Sequence, residues 1–333
     1  MQGGREDVVA AICRRTLGTS PAAVREPPTG NSKRTALVEL ADGRTVVVQY
    51  RDRPLAAEAA VTGAVAERTG VPVAPVLAAG RLDSPPVSYL VTGRVAGDDL
   101  HERFTSVDAD ARERLARTLG RYLATVHEAF AFDACGRVAP REAAPVDGRA
   151  LTVAEPLPAG AFYREYLGRA LADWPDALRD LEPRVEAALD DRLDALPAAD
   201  PRLFPWDYRP GNAIVRETDG ALTVAAVLDW DAPLAAPTGL STAKAEVTLC
   251  DWYVRADANV RALRAAYRDG YREVRPFPEE GYDAFRLLGL IASAADSRGE
   301  VTRPRYPTVG VKEAVAFHRE RIGTTLSRLD GQA

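Results

Sequence analysis

An α+β fold in two lobes, a small strand-rich one and a larger, mostly helical one, is what this 333-residue sequence predicts. Three observations lead there. The first ninety residues hold period-2 apolar runs punctuated by turn signals. A connector with two glycines, Gly93–Asp99, follows. Beyond it, helical periodicity dominates, interrupted by one hairpin region. The length exceeds what one simple core encloses. The expected organisation is an N-terminal lobe over 1–92, a hinge over 93–99 and a helical lobe over 100–333, with a hairpin region at 203–231.

In chain order, Asp7–Thr16 is a short amphipathic helix, and Thr19–Arg34 reads as a loop. Thr35–Leu40 and Arg44–Tyr50 are β-rich and flank Ala41-Asp42-Gly43, where Asp-Gly favours a hairpin turn. Pro54–Arg68 begins with proline, is rich in alanine and stops at Gly70, so it reads as a helix. Pro75–Leu82 and Ser88–Thr92 are short strands. Helices are then expected over Asp108–Phe130, Gly160–Trp174, Leu178–Leu196, Ala243–Arg255, Val260–Val274, Pro278–Asp296 and Gly310–Leu329. Ala139–Pro158, rich in Pro and Ala, reads as a long loop or lid. Leu203–Asp231 reads as the only strand-rich part of this half, with strands near Ala213–Arg216 and Leu222–Leu228.

Composition narrows the function. A net charge of −5 argues against a nucleic-acid partner, which usually calls for a basic face. No apolar run reaches the roughly 18 residues of a membrane span. MQGGREDVVAAICRR lacks the apolar core of a signal peptide, so a cytoplasmic location is expected. Three scattered cysteines show no metal-ligand spacing and read as buried thiols. Three histidines, His101, His127 and His318, give little support to a Ser-His-Asp or Cys-His mechanism. Lysine is equally scarce: Lys33, Lys244 and Lys312 are all there are.

The chemistry concentrates in LFPWDYRPGNAIV (203–215) and VLDWD (227–231). Asp207 and Asn212 precede the first hairpin strand, and Asp229 and Asp231 follow the second. Pairing of the strands brings Asn212 and Asp229 to one end. Their oxygens are hard donors of the kind Mg²⁺ takes alongside phosphate and water. Asp207 stands where it can accept a proton from an attacking hydroxyl, and the set suits phosphoryl transfer.

DYRPGN followed by VLDWD resembles the Asp-x-x-x-x-Asn loop and metal-binding aspartate of protein-kinase-like small-molecule kinases. The match is closest to the aminoglycoside phosphotransferase/choline kinase group, with its H-G-D-x-x-P-G-N. Other stretches fall in the family's order: VELADGRTVVVQYRDR is similar to its second and third strands, TGVPVAPVLAAG to its gVPvPrvl segment, YLVTGRVAGDDL to its hinge and LATVHEAF to its L-x-x-L-H helix. The resemblance implies a two-lobed protein-kinase-like fold, ATP and Mg²⁺ as cofactors, and a small-molecule acceptor. It implies Asp207 as catalytic base, Asn212 and Asp229 as metal ligands, and adenine against the hinge near Thr92–Arg94. Asp231 would lie close by, either supporting the metal ligands or contacting substrate. Glu58 falls where the family's helix glutamate pairs with a strand lysine.

Three departures stand out. Pro205-Trp206 replaces the His-Gly ahead of the aspartate. Gln49 occupies the strand position of the phosphate-contacting Lys or Arg, leaving Arg51, on the same strand face, to pair Glu58, and Lys33 to reach phosphate. The loop around Lys33 lacks G-x-G-x-x-G, although Gly30, Asn31 and Ser32 can offer backbone donors. Lys244, rare by type and downstream of D-W-D, is a further candidate for a substrate or phosphate contact. Aminoglycoside, choline, homoserine and sugar-amine kinases share these motifs, so the acceptor stays open between an aminoglycoside-like antibiotic and a metabolite, as does ATP against GTP. The alternative to an active kinase is a catalytically impaired, nucleotide-binding pseudokinase.

Overall fold

The structure is a computed structural model that describes residues 4–26, 33–141, 151–198, 200–252, 257–296, 298–303 and 309–331. It has a strand-rich N-terminal lobe and a helical C-terminal lobe. The first lobe comprises α1 (Arg5–Leu17), β1 (Pro21–Arg25), β2 (Arg34–Leu40), β3 (Thr45–Arg51), α2 (Ala56–Arg68), β4 (Val76–Asp83) and β5 (Pro86–Gly93). The strands form one antiparallel sheet in the order β1-β2-β3-β5-β4. The β2–β3 turn falls at Asp42-Gly43, where Gly43 takes φ +84° and Asp42 Oδ1 accepts from the Arg44 N–H at 3.0 Å. Alternation then sorts the faces. Ala36, Val38, Leu40, Val46, Val48 and Tyr50 bury against Val8, Val9, Ile12 and Cys13 of α1. The opposite face carries Thr35, Val47, Gln49 and Arg51.

Two of the loops expected from sequence contain strands. Within Thr19–Arg34, β1 pairs antiparallel with β2. It is a short edge strand opening on proline, a position that needs no ladder donor. Residues 27–32, with the candidate donors Gly30, Asn31 and Ser32, lie outside the described residues.

The chain enters the second lobe through β6 (Asp98–Asp99), α3 (Leu100–Arg103) and α4 (Ala109–Ala129). Asp99 caps α3 by accepting from the His101 N–H at 2.8 Å. Next come β7 (Cys135–Pro140), β8 (Leu151–Leu157), α5 (Ala159–Ala172), a 3₁₀ turn (Asp176–Leu181), α6 (Glu182–Leu189) and β9 (Pro201–Phe204). The Ala139–Pro158 stretch is therefore bounded by a β-hairpin, with 142–150 outside the described residues. Its strands are short and carry Pro and Ala, which hid their period. Leu203–Asp231 is not the only strand-rich part of this lobe: a four-stranded sheet runs β8-β7-β12-β9, where β12 is Leu234–Pro237.

The central hairpin is β10 (Ala213–Thr218) and β11 (Ala221–Val227), and β6 pairs with β10, tying the connector to it. The remaining helices are α7 (Thr238–Glu246), which runs into a π turn (Val247–Asp251), α8 (Asp257–Arg272), α9 (Tyr282–Ser293) and α10 (Val311–Asp330). The helix expected at Ala243–Arg255 thus starts five residues earlier and is wider-wound at its end. Helices α4 and α8 touch backbone to backbone: a Cβ on Gly120 would lie 2.0 Å from the Tyr267 carbonyl, and one on Gly270 would lie 1.9 Å from that of Arg117. Among the described residues, no helix is long and apolar enough to cross a membrane.

Candidate active site

The loop from β9 to β10 is held from below. Tyr208 is buried and its hydroxyl donates to the Leu119 carbonyl of α4 at 2.8 Å. Pro210–Asn212 then form a 3₁₀ turn, with the Asn212 N–H on the Arg209 carbonyl at 2.9 Å. The turn folds Asn212 back: its Nδ2 donates to the Asp207 carbonyl at 2.7 Å and to Asp207 Oδ2 at 3.0 Å. Strand register does the rest. Ala213 faces Val227, and the Leu228 N–H donates to the Asn212 carbonyl at 2.7 Å, which sets Asp229 beside the turn. Asp229 itself takes φ +61°, a left-handed conformation uncommon away from glycine and more frequent at functional turns.

Cations from the first lobe meet these carboxylates. Lys33, just before β2, donates from Nζ to Glu58 Oε1 and Oε2 at 2.7 and 2.8 Å and to Asp229 Oδ1 at 2.7 Å. Arg51 grips Asp231 with both terminal nitrogens, at 2.7 and 2.9 Å. The expected Arg51–Glu58 pair is thus replaced: Glu58 takes Lys33, and Arg51 reaches across to Asp231. Gln49 lies on β3 opposite Thr35 and Leu90. Thr92 is buried on β5 opposite Val47, and Arg94 is exposed, with its N–H on the Thr45 carbonyl. Glu58, Asp229 and Asp231 each place a carboxylate oxygen within 4.8 Å of the others.

Burial pushes the Glu58 carboxyl up to about 7, against the pull of Lys33. Burial alone would lower the Lys33 ammonium, but Asp229 and Glu58 more than reverse it. Asp207 shows the same contest. Burial would raise its carboxyl, yet Arg209 and Lys244 hold it below the ordinary aspartate range. Arg209 places Nε 2.8 Å from both Asp207 oxygens.

Arg209 and Thr248 were not singled out by sequence. Arg209 lies two residues from Asp207, a spacing that does not by itself say that the side chain turns back. Lys244 lies apart from the Lys33–Glu58–Asp229 cluster in its contacts, which are with Trp206. It is buried under the loop, with Nζ 2.5 Å from the Trp206 carbonyl and 4.2 Å from the Trp206 ring centroid. Trp206 packs against Tyr166 and Phe204. His127 stays out of the site: it is buried between the Tyr271 and Ser241 hydroxyls, at 2.7 and 3.1 Å.

The model of the phosphotransferase enzyme family matches residues 23–277. No curated protein matches the sequence. A candidate aminoglycoside phosphotransferase from Ralstonia eutropha JMP134 superposes with a TM-score of 0.65 at 17% identity, over 98% of each chain. A thermostable mutant of aminoglycoside phosphotransferase APH(4)-Ia, solved with AMP-PNP and hygromycin B, gives 0.61 at 13% identity, over 97% of this chain and 96% of that one. A candidate fructosamine-3-kinase from Thermobifida fusca gives 0.55 at 23% identity, over 94% and 98%. At these identities the structures speak for the fold, which is kinase-like, and the family model speaks for the chemistry. The chain belongs to the phosphotransferase enzyme family and is, by family and fold, a small-molecule kinase.

Proposed function

We propose that the protein transfers the γ-phosphoryl group of ATP to a hydroxyl of a small molecule, with Asp207 as catalytic base. The observation that carries this reading is the meeting of Lys33, Glu58 and Asp229 beside the Asp207–Asn212 turn. One lobe supplies a buried ammonium and the other a carboxylate, an amide and a base. The donor set fits Mg²⁺: Asn212 turns its nitrogen to Asp207, so its amide oxygen is the end suited to a cation, with the Asp229 carboxylate as a second hard donor. Bound there, Mg²⁺ would neutralise phosphate charge.

The chain's own groups divide the remaining work. Lys33, held by Glu58, would pair phosphate oxygens, and adenine would lie against the stretch Thr92–Arg94. Asp207, ionised at neutral pH, orients the acceptor hydroxyl and takes its proton as the acceptor oxygen bonds to phosphorus and the bond to the departing ADP breaks. The part-buried Trp206 beside Asp207 borders the acceptor side. APH(4)-Ia, solved with hygromycin B, supports a polyhydroxylated acceptor as the first class to try.

One observation favours the rival, a nucleotide binder that does not turn over: Arg209 engages both oxygens of Asp207. A turnover test on the wild-type protein separates the two, and one variant tests the base. Asp207→Asn is expected to lower turnover on a hydroxylated metabolite and antibiotic panel by about 10²–10⁴-fold, with ATP affinity nearly unchanged. Wild-type protein that binds Mg-ATP without phosphorylating any acceptor supports the rival, and full activity in Asp207→Asn removes Asp207 from the mechanism.

A further inference from the structure

The carbonyls on either side of Asp207 are both gripped from one helix. Lys244 donates to the Trp206 carbonyl at 2.5 Å, and the Thr248 hydroxyl is 3.0 Å from the Tyr208 carbonyl. Lys244 and Thr248 are four residues apart, one turn, so they share a face of α7 and its π continuation. The loop they hold is the one in which Pro205-Trp206 stands where His-Gly was expected.

The grip is rigidly founded. Glu246, on the same helix, accepts from Arg268 Nε at 2.6 Å and from Arg286 at 3.0 Å, and Asp251 accepts from Arg286 at 2.6 Å. Helix α9 comes against Lys244 at Gly289, where a Cβ would lie 3.0 Å from the Lys244 Cα. Lys244 is only 5% exposed, and its charge is costly there: burial lowers the ammonium to about 8, opposed by Asp207. A methionine of similar length would fill the same space without that cost. The ammonium therefore needs a reason beyond packing, and the Trp206 carbonyl and the nearby Asp207 charge provide it.

We infer that Lys244 and Thr248 are positioning residues for the catalytic loop, a two-point clamp that fixes Asp207 by holding the carbonyls of the residues before and after it. The inference rests on the phosphotransfer reading for its kinetic consequence but not for its structural one. The clamp acts on the backbone, so its loss moves Asp207 relative to the acceptor while the cleft residues of the first lobe stay in place. Misplacement of a reacting group by about 1 Å can cost on the order of 10²-fold in rate.

The test uses the full chain with Lys244→Met, Thr248→Val and, as a control on an exposed residue, Lys312→Met. Amide hydrogen exchange over 203–212 is read alongside kcat and KM for Mg-ATP, with water as the acceptor. Lys244→Met is expected to speed exchange in the loop by about tenfold or more. Its kcat should fall roughly 10- to 100-fold while KM for ATP stays within about twofold. Thr248→Val should show the same pattern more weakly, by about threefold. It keeps side-chain volume, so it carries the test if Lys244→Met does not fold. Loop exchange and kcat like wild type in either folded variant overturn the clamp. Wild-type protein that neither binds nor hydrolyses Mg-ATP breaks the phosphotransfer reading instead, and the exchange comparison still decides the clamp.

Discussion

Two clusters of opposite charges lie within the molecule, and they are built differently. In the cleft, Lys33 and Arg51 come from the first lobe and meet Asp229 and Asp231, nearly two hundred residues away in the chain. Those carboxylates keep 33% and 24% of their side-chain surface in solvent. Under α7, Glu246 and Asp251 have no exposure, and Arg264, Arg268 and Arg286 surround them with short bonds at 2.5 to 3.1 Å. The second cluster is closed: each carboxylate meets planar guanidinium forks that do not lose their charge. The first is more open, and its ammonium and partly exposed carboxylates would exchange partners if a ligand entered. Charge pairing serves architecture in one place and, on the function proposed above, a binding site in the other.

The comparison breaks most readily at Arg286. Replacing it with methionine leaves two fully buried carboxylates short of a partner. Arg264 and Arg268 remain, so the expected loss lies near the lower end for a broken buried pair, about 3 kcal/mol. Chemical denaturation of Arg286→Met against wild type measures it, and a loss below about 1 kcal/mol would mean that the network is redundant.

Lys33→Met should behave in the opposite sense. Burial already raises Glu58 to about 7, so without its lysine the carboxyl can take up a proton near neutral pH instead of staying charged and unpaired. Stability should fall by less than the roughly 3 kcal/mol of a broken buried pair, while kcat/KM for ATP falls about 10²-fold, equivalent to roughly 2.7 kcal/mol of transition-state binding. A large loss of stability with normal ATP kinetics would move Lys33 into the architectural class.

The contrast also explains how far sequence carries. The β2–β3 hairpin was legible because its alternation and its Asp-Gly turn are local. The arrival of Asp229 at the hairpin end that carries Asn212 was legible because strand register fixes it, whereas the Asn212–Asp207 hydrogen bond was not foreseen. The partner of Glu58 was not. Gln49, Arg51 and Lys33 were all candidates, and the choice among them is a tertiary contact: Lys33 meets Glu58, and Arg51 reaches Asp231. Strands β1, β7 and β8 were missed because proline and alanine blur a period of two over five to seven residues. The role of Lys244 was hidden for a related reason: its scarcity flagged it, but a contact between α7 and a loop 38 residues earlier is a tertiary fact.

The comparison sharpens further at a third kind of buried titratable group, one held by hydroxyls instead of opposite charges. His127 is fully buried between Tyr271 and Ser241, and burial, with Arg275 and Arg202 adding to it, lowers its pKa to about 3. The folded protein therefore keeps the ring neutral while the unfolded chain protonates it near 6.5. A depressed folded pKa means that the stabilisation is complete above 6.5 and is lost as pH falls toward 3. By pH 5 the expected loss is about 2 kcal/mol from this residue alone. Carboxylates titrate in the same direction at lower pH, so the decisive measurement is a difference. In His127→Gln, which keeps two hydrogen-bonding ends and has no such titration, the fall in unfolding free energy between pH 7.5 and 5 should shrink by about that amount. An unchanged fall would show that His127 is already protonated in the folded state, and the hydroxyl pair would then be holding an imidazolium.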